Sequence, residues 1–98
     1  MAKGYWIAHV DVHDPKIYDN YRSAVAAPLK EFGGRFLVRG GQQEEQEGQT
    51  RARTVVIEFP SYQAALDCYK GAGYQAAKSI RHPVATGDFV VVEGCDGP

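Results

Sequence analysis

Apolar and polar residues alternate from Gly4 to Val12. Trp6, Ala8, Val10 and Val12 fall on one face and Tyr5, Ile7, His9 and Asp11 on the other, the period-two pattern of a strand. The period then lengthens. Behind Asp14-Pro15, Tyr18, Tyr21, Val25, Leu29 and Phe32 recur every three or four residues, which predicts a helix with Asp14 as N-cap and Pro15 at its first position. Pro28 lies inside that stripe and is expected to kink or interrupt the last turn. Gly33-Gly34 stops the helix, because glycine adopts the left-handed C′ conformation without steric cost.

Alternation returns at Arg35–Arg39, with Phe36 and Val38 on one side and Arg35, Leu37 and Arg39 on the other. Residues 42–52 are polar up to Ala52, a connection longer than the roughly 2–5 residues usual in hairpins. A third strand is predicted at Arg53–Phe59, with Val55, Ile57 and Phe59 opposite Thr54, Val56 and Glu58. Pro60 breaks it, and Ser61 can cap a helix whose stripe is Tyr62, Ala65, Leu66 and Tyr69. Gly71-Ala72-Gly73 interrupts that helix, Tyr74–Arg81 resumes it, and Asp88–Glu93 between Gly87 and Gly94 is the last strand.

The order is βαββαβ, an α+β ferredoxin-like plan in one domain over residues 1–98. Right-handed crossovers require an antiparallel sheet in the order 4-1-3-2 with both helices on one face. Trp6, Ala8, Val10, Phe36, Val38, Val55, Ile57, Phe59, Val90 and Val92 are assigned to the helix side. The opposite face then collects Tyr5, Ile7, His9, Leu37, Val56, Phe89 and Val91 among Arg35, Arg39, Glu58 and Glu93. That face is too apolar to stay wet, and a second copy of the sheet is its natural cover, so a homodimer is expected.

The run YDNYRSAVAAPLKEFGGRFLVRGG, then VVIEFPSYQAAL, Tyr74-Gln75 and a closing VVVEG resemble a small bacterial family called domain of unknown function 1330, over nearly the whole chain. The resemblance implies a dimeric α/β barrel, in which two ferredoxin-like protomers close their sheets face to face. That superfamily also holds cofactor-free monooxygenases, muconolactone isomerases, haem enzymes and ligand-sensing domains, so the fold leaves the function open. Where relatives tend to carry a Ser-Pro-Glu turn before the tyrosine, this chain has Gly71-Ala72-Gly73.

Charge narrows the partners. With 11 basic and 12 acidic side chains and a net charge of -1, the chain has no general attraction for nucleic acid or an anionic membrane. No apolar run approaches the ~20 residues of a membrane span, and the amino-terminal residues do not read as a signal peptide. Cys68 and Cys95 lack CxxC or metal-ligand spacing, which fits reduced thiols in a cytoplasmic protein.

Three groups could carry chemistry. His9, Asp11 and His13 alternate along one strand and include a facial metal-ligand set. Strand twist spreads such side chains, and His13 abuts the Asp14-Pro15 turn, so neither a metal nor another cofactor is expected. Arg35 falls opposite Glu58 in the predicted hairpin, a structural pair. Arg39 falls near Thr54, at the His9 end of the sheet, without a carboxylate partner, and is a candidate anion binder. The tyrosines form the third group, with Tyr21 and Tyr74 as candidate ligand contacts. Two function classes follow. One is a cofactor-free isomerase- or monooxygenase-like enzyme on a small anionic or aromatic molecule, with His9 as base and Arg39, Tyr21 and Tyr74 binding the ligand. The other is a non-catalytic small-molecule-binding or structural dimer module.

Overall fold

The computed structural model describes residues 2–96. Its elements are β1 (Gly4–Val12), α1 (Pro15–Ala24), α2 (Ala26–Phe32), β2 (Arg35–Arg39), β3 (Arg53–Phe59), α3 (Tyr62–Lys70), α4 (Ala72–Arg81) and β4 (Ala85–Glu93), with a 3-10 turn at His82–Val84 before β4. The four strands form one antiparallel sheet in the order β2-β3-β1-β4, which is the expected order read from the other edge. No helix among the described residues is long and apolar enough to cross a membrane.

Local chemistry accounts for most boundaries. The Asp14 carboxylate accepts from the Ile17 amide at 3.2 Å and Ser61 Oγ from the Ala64 amide at 3.0 Å, so both predicted N-caps form. Gly33 ends α2 at φ 75, and the Gly34 amide donates back to Leu29 O at 2.8 Å. The first long helix breaks earlier than expected. It parts at Val25, between Ala24 and Ala26, rather than in the last turn. A proline ring clashes with the carbonyl four residues before it, and four residues before Pro28 is Ala24. Helix α4 begins at Ala72, so Gly73 lies inside it and only Gly71 separates it from α3.

The core lies between the helices and one sheet face. Trp6, Ala8, Val10, Ile57 and Phe59 point into it, meeting Tyr18, Tyr21, Leu29, Ala65 and Tyr74 from the helices. Trp6 is the hub, with ring centroids 4.7 Å from Tyr74, 4.9 Å from Phe59 and 5.2 Å from Phe89, and its indole N–H donates to Ala65 O.

Two strands differ from the expected faces. In β4, Val91 pairs with Trp6 and Phe89 with Ala8, so these two face the core, while Val90 and Val92 face outward. The apolar run Phe89–Val92 has no alternation of its own, and its phase comes from pairing with β1. In β2 a bulge at Leu37 intervenes: Phe36 pairs with Ile57, but Val38 pairs with Val56 and Arg39 with Val55. A bulge adds one residue to one strand and reverses the faces beyond it. Val38 therefore turns outward and Arg39 turns to the helix side. Before the bulge, Arg35 pairs with Glu58 as expected, its Nε 3.0 Å from the carboxylate, which also accepts from the Tyr5 hydroxyl at 2.9 Å.

These hydrogen bonds, from Tyr5 first and then Arg35, hold the Glu58 carboxyl below its ordinary pKa. Any stability from this pair is therefore present above the unfolded carboxylate pKa and fades as pH falls through the lower folded value. Arg35 is 72% exposed, so solvent screens the contact. Arg35→Ala should lower the melting temperature at pH 7 by no more than a few degrees; a large drop in a thermal melt would make the pair a main support of the hairpin.

Candidate functional site

On the helix side, α3 packs directly on β1, β3 and β4, whereas α1 packs chiefly on α4. Tyr18, Tyr21 and Val25 fill the space between α1 and the sheet, and a cavity of about 30 Å³ remains among them. Its floor is built by pairing: Phe36–Ile57–Trp6 form one row across the strands and Arg39–Val55–Ala8–Phe89 the next. Arg53, which pairs with Val10, stands at the end of the floor.

Four arginines line this apolar space, Arg22 from α1, Arg39 from β2, Arg53 from β3 and Arg81 from α4, and no carboxylate does. Arg22 has its own partner, Asp19, one helical turn back at 3.3 Å. Among the described residues no carboxylate pairs with Arg39, Arg53 or Arg81. Arg39 is exposed and lies over the Phe36 ring, 4.2 Å from its centroid. Arg53 lies over Tyr18 at 5.7 Å, and Arg81, only 8% exposed, lies over Tyr21 at 5.6 Å and Phe89 at 5.8 Å. The Nε atoms of Arg53 and Arg81 are buried without an acceptor. Arginine does not escape burial by losing its proton, so the cavity keeps uncompensated positive charge.

The Tyr21 and Tyr74 hydroxyls share a buried hydrogen bond of 2.9 Å beside this cavity. Burial raises the pKa of both. The Tyr21 value is raised further by the Tyr74 charge and hydrogen bond, whereas Tyr21 and Arg81 partly offset the rise at Tyr74. Both stay protonated at neutral pH and serve as hydroxyl donors, not bases.

Of the residues singled out from sequence, Tyr21 and Tyr74 meet, and Arg39 lines the same cavity as Tyr21. His9 does not join them. It stands on the opposite face, opposite Thr54 and Asp88, with Nδ1 3.2 Å from the Thr54 hydroxyl, which itself donates to Gln43 Oε1 at 2.7 Å. Arg39 and His9 are thus near one end of the sheet but separated by its thickness. Asp11 is occupied by Arg51 at 2.9 Å and by the Ala52 amide, and His13 Nε2 is 2.8 Å from the Thr86 hydroxyl. Among the described residues, no group of three His, Cys, Asp or Glu side chains could hold a metal ion. A polar hollow near His9, lined also by Asp11, Arg51 and Asp88, has its charges paired internally, because Arg51 bridges both carboxylates. The helix-side cavity is therefore the better candidate.

Sequence reasoning missed Arg53 and Arg81, although each left a trace. Arg53 shares parity with Val55, Ile57 and Phe59; Arg81 follows Tyr74 and Ala77 at helical spacing. An arginine in phase with a core stripe marks a charge turned inward.

A family model described as Domain of unknown function (DUF1330) matches residues 3–95. No curated protein matches the chain. Among solved structures, a protein of unknown function from Rhodopseudomonas palustris superposes with a TM-score of 0.72 at 13% identity, covering 98% of this chain and 85% of that one. SnoaB, a cofactor-independent oxygenase from Streptomyces nogalater, superposes with a TM-score of 0.65 at 12% identity over 99% and 97% of the two chains. A dimeric ferredoxin-like protein of unknown function from Thermobifida fusca gives 0.61 at 17% identity over 94% and 89%. At these identities the likeness is one of fold.

Proposed function

We propose that this chain, which belongs to the DUF1330 family, is a homodimeric enzyme that acts without a cofactor on a small aromatic or enolisable anion held between α1 and the sheet. The observation that carries this reading is the carboxylate-free set of arginines around an aromatic cavity beside the Tyr21–Tyr74 pair. In this reading Tyr21 contacts the ligand, Tyr74 holds the Tyr21 hydroxyl from behind, and Arg39 stands at the exposed side of the cavity. The fixed guanidiniums and hydroxyl donors favour an enolate or phenolate over its neutral parent. The proton then passes more readily to water at the cavity mouth. The electron-rich carbon either takes a proton back at another position, which is an isomerisation, or forms a C–O bond with dioxygen, the resulting peroxide taking up the proton. The oxygenase described for SnoaB supports the second outcome. His9 has no part in this scheme, since it lies across the sheet.

The outward face supports the homodimer. Val38, Val56, Ile7 and Val90 form one apolar row across all four strands, and Val90 is 51% exposed. Polar residues flank it, with Arg35, Glu58 and Tyr5 on one side and Thr54, His9 and Asp88 on the other. A neighbour of the same fold is described as dimeric.

A second reading, ligand binding without catalysis, is favoured by the protonated state of both tyrosines, which leaves the cavity without a resident base. Phenylpyruvate, an enolisable aromatic acid, separates the two. Dioxygen uptake or solvent-deuterium exchange at its methylene, above the buffer rate and reduced about a hundredfold in Tyr21→Phe, is expected of an enzyme. Saturable binding with neither reaction would establish the second reading.

A further inference from the structure

We propose that the helix-side cavity receives the carboxylate end of a flat organic acid, and that Arg53 and Arg81, rather than the exposed Arg39, recognise it. The proposal rests on this cavity being the functional site and names the part of the ligand it buries.

Charge is the first argument. Arg53 and Arg81 are drawn into an apolar space with no carboxylate among its lining residues. A guanidinium there cannot neutralise itself, and an unpaired charge out of water is unfavourable. Tyr18, Tyr21 and Tyr74 are the neighbouring groups, and the Tyr21–Tyr74 pair stays protonated, so it supplies no negative charge. An anionic ligand would supply the missing charge.

Hydrogen bonding is the second. Each of the two arginines keeps a buried Nε–H with no acceptor. An Nε–H and the neighbouring terminal N–H form the side edge of the guanidinium, which matches the two oxygens of a carboxylate.

The third argument is the seat of Arg53. Gly40 has φ 65, and a Cβ built there would fall 2.0 Å from Arg53 Nη1 and 2.6 Å from its Cζ. The guanidinium occupies the space that a side chain at residue 40 would take. The lack of a side chain at Gly40, which also turns the chain out of β2, leaves Arg53 this seat.

Size and shape set the ligand class. About 30 Å³ corresponds to one or two waters, which suits a carboxylate but not a larger tetrahedral anion with its hydration. The body of the ligand would then lie outward, between Tyr18 on α1 and Phe36 on β2, where a flat ring finds aromatic faces. Arg39, on the exposed surface of Phe36, would attract the acid rather than grip it.

Trp6, the single tryptophan, lines the cavity, so its fluorescence reports occupancy without any turnover. Benzoate should quench Trp6 saturably, while phenol and inorganic phosphate bind at least about tenfold more weakly. Arg53→Gln and Arg81→Gln should each weaken benzoate at least about tenfold, and Arg39→Gln less than about threefold. Circular dichroism checks each variant. If Arg81→Gln does not fold, the half-buried Arg53 and the ranking of the three probes on the unsubstituted protein still decide. Phenol or phosphate matching benzoate would overturn the proposal, as would Arg39→Gln exceeding Arg53→Gln in effect. Benzoate binding without turnover of phenylpyruvate would leave this proposal standing and remove the enzymatic reading. Turnover with no preference for a carboxylate would do the reverse.

Discussion

Val56→Asp is expected to separate the homodimer into protomers of 10.8 kDa. Val56 sits in the outward apolar row, between Val38 on β2 and Ile7 on β1. If two sheets close face to face about a two-fold axis, each copy of the row meets its own counterpart. The substitution then places one carboxylate per protomer in the seam, each out of water and facing apolar side chains, at a cost of several kcal/mol per charge. A loss of that size taken twice is comparable with the roughly 8 kcal/mol of a micromolar association. Light scattering of the unsubstituted protein at micromolar concentration should give twice 10.8 kDa, and Val56→Asp the single mass. An unsubstituted chain that already runs at the single mass would remove the homodimer altogether. A Val56→Asp protein that stays dimeric would move the interface to another surface.

Tyr74→Ala should be among the most destabilising single substitutions in the core. Tyr74 is fully buried, packs on Trp6, Tyr69 and Phe89, and carries the hydroxyl bonded to Tyr21. Truncating a buried aromatic ring to alanine costs about 3–5 kcal/mol, against a total of about 5–15 kcal/mol for a typical domain. The melting temperature should fall on the order of 15 °C or more. Tyr74→Phe keeps the ring and removes only its hydroxyl, which Tyr21 and Arg81 both approach, at about 1–3 kcal/mol. Urea titrations of both variants, read as midpoints with an unchanged slope, measure the difference. Near-equal losses would mean that the hydroxyl pair, not the ring, supports this part of the core. The same residues give a pH signature. Burial raises both tyrosine pKa values above the ordinary 10.0, so the folded chain retains protons that the unfolded chain releases. Their contribution is complete below about pH 10 and is lost as pH climbs above it.

The helix caps at Asp14 and Ser61, the stop at Gly33 and the strand Gly4–Val12 form where the sequence places them. Each is set by neighbours a few residues away. The Arg35–Glu58 pair was also legible, because counting back through the hairpin from Arg35 meets no irregularity before it. Beyond Phe36 the count fails. Nothing in FLVRGG marks Leu37 as the extra residue, since a bulge is fixed by which hydrogen bonds β3 offers, and those lie about twenty residues away. Arg39 was consequently assigned to the face of His9, and the candidate site was assembled from residues on opposite sides of the sheet.

By itself the sequence determined the element order, the antiparallel four-stranded plan, the tyrosine-bearing helices and an apolar outward surface, because periodicity, capping and crossover handedness act through local geometry. Tertiary structure alone decided three things. It set the phase of Phe89–Val92, which follows Trp6 rather than any pattern of its own. It turned Arg39 to the helix side through the Leu37 bulge. It drew Arg53 and Arg81 around one cavity from a strand and a helix well separated in the chain. The first two depend on register between distant strands, and the third on how α4 packs over the sheet. A shift of one residue reverses a side chain from one face to the other, and only the folded sheet settles that count.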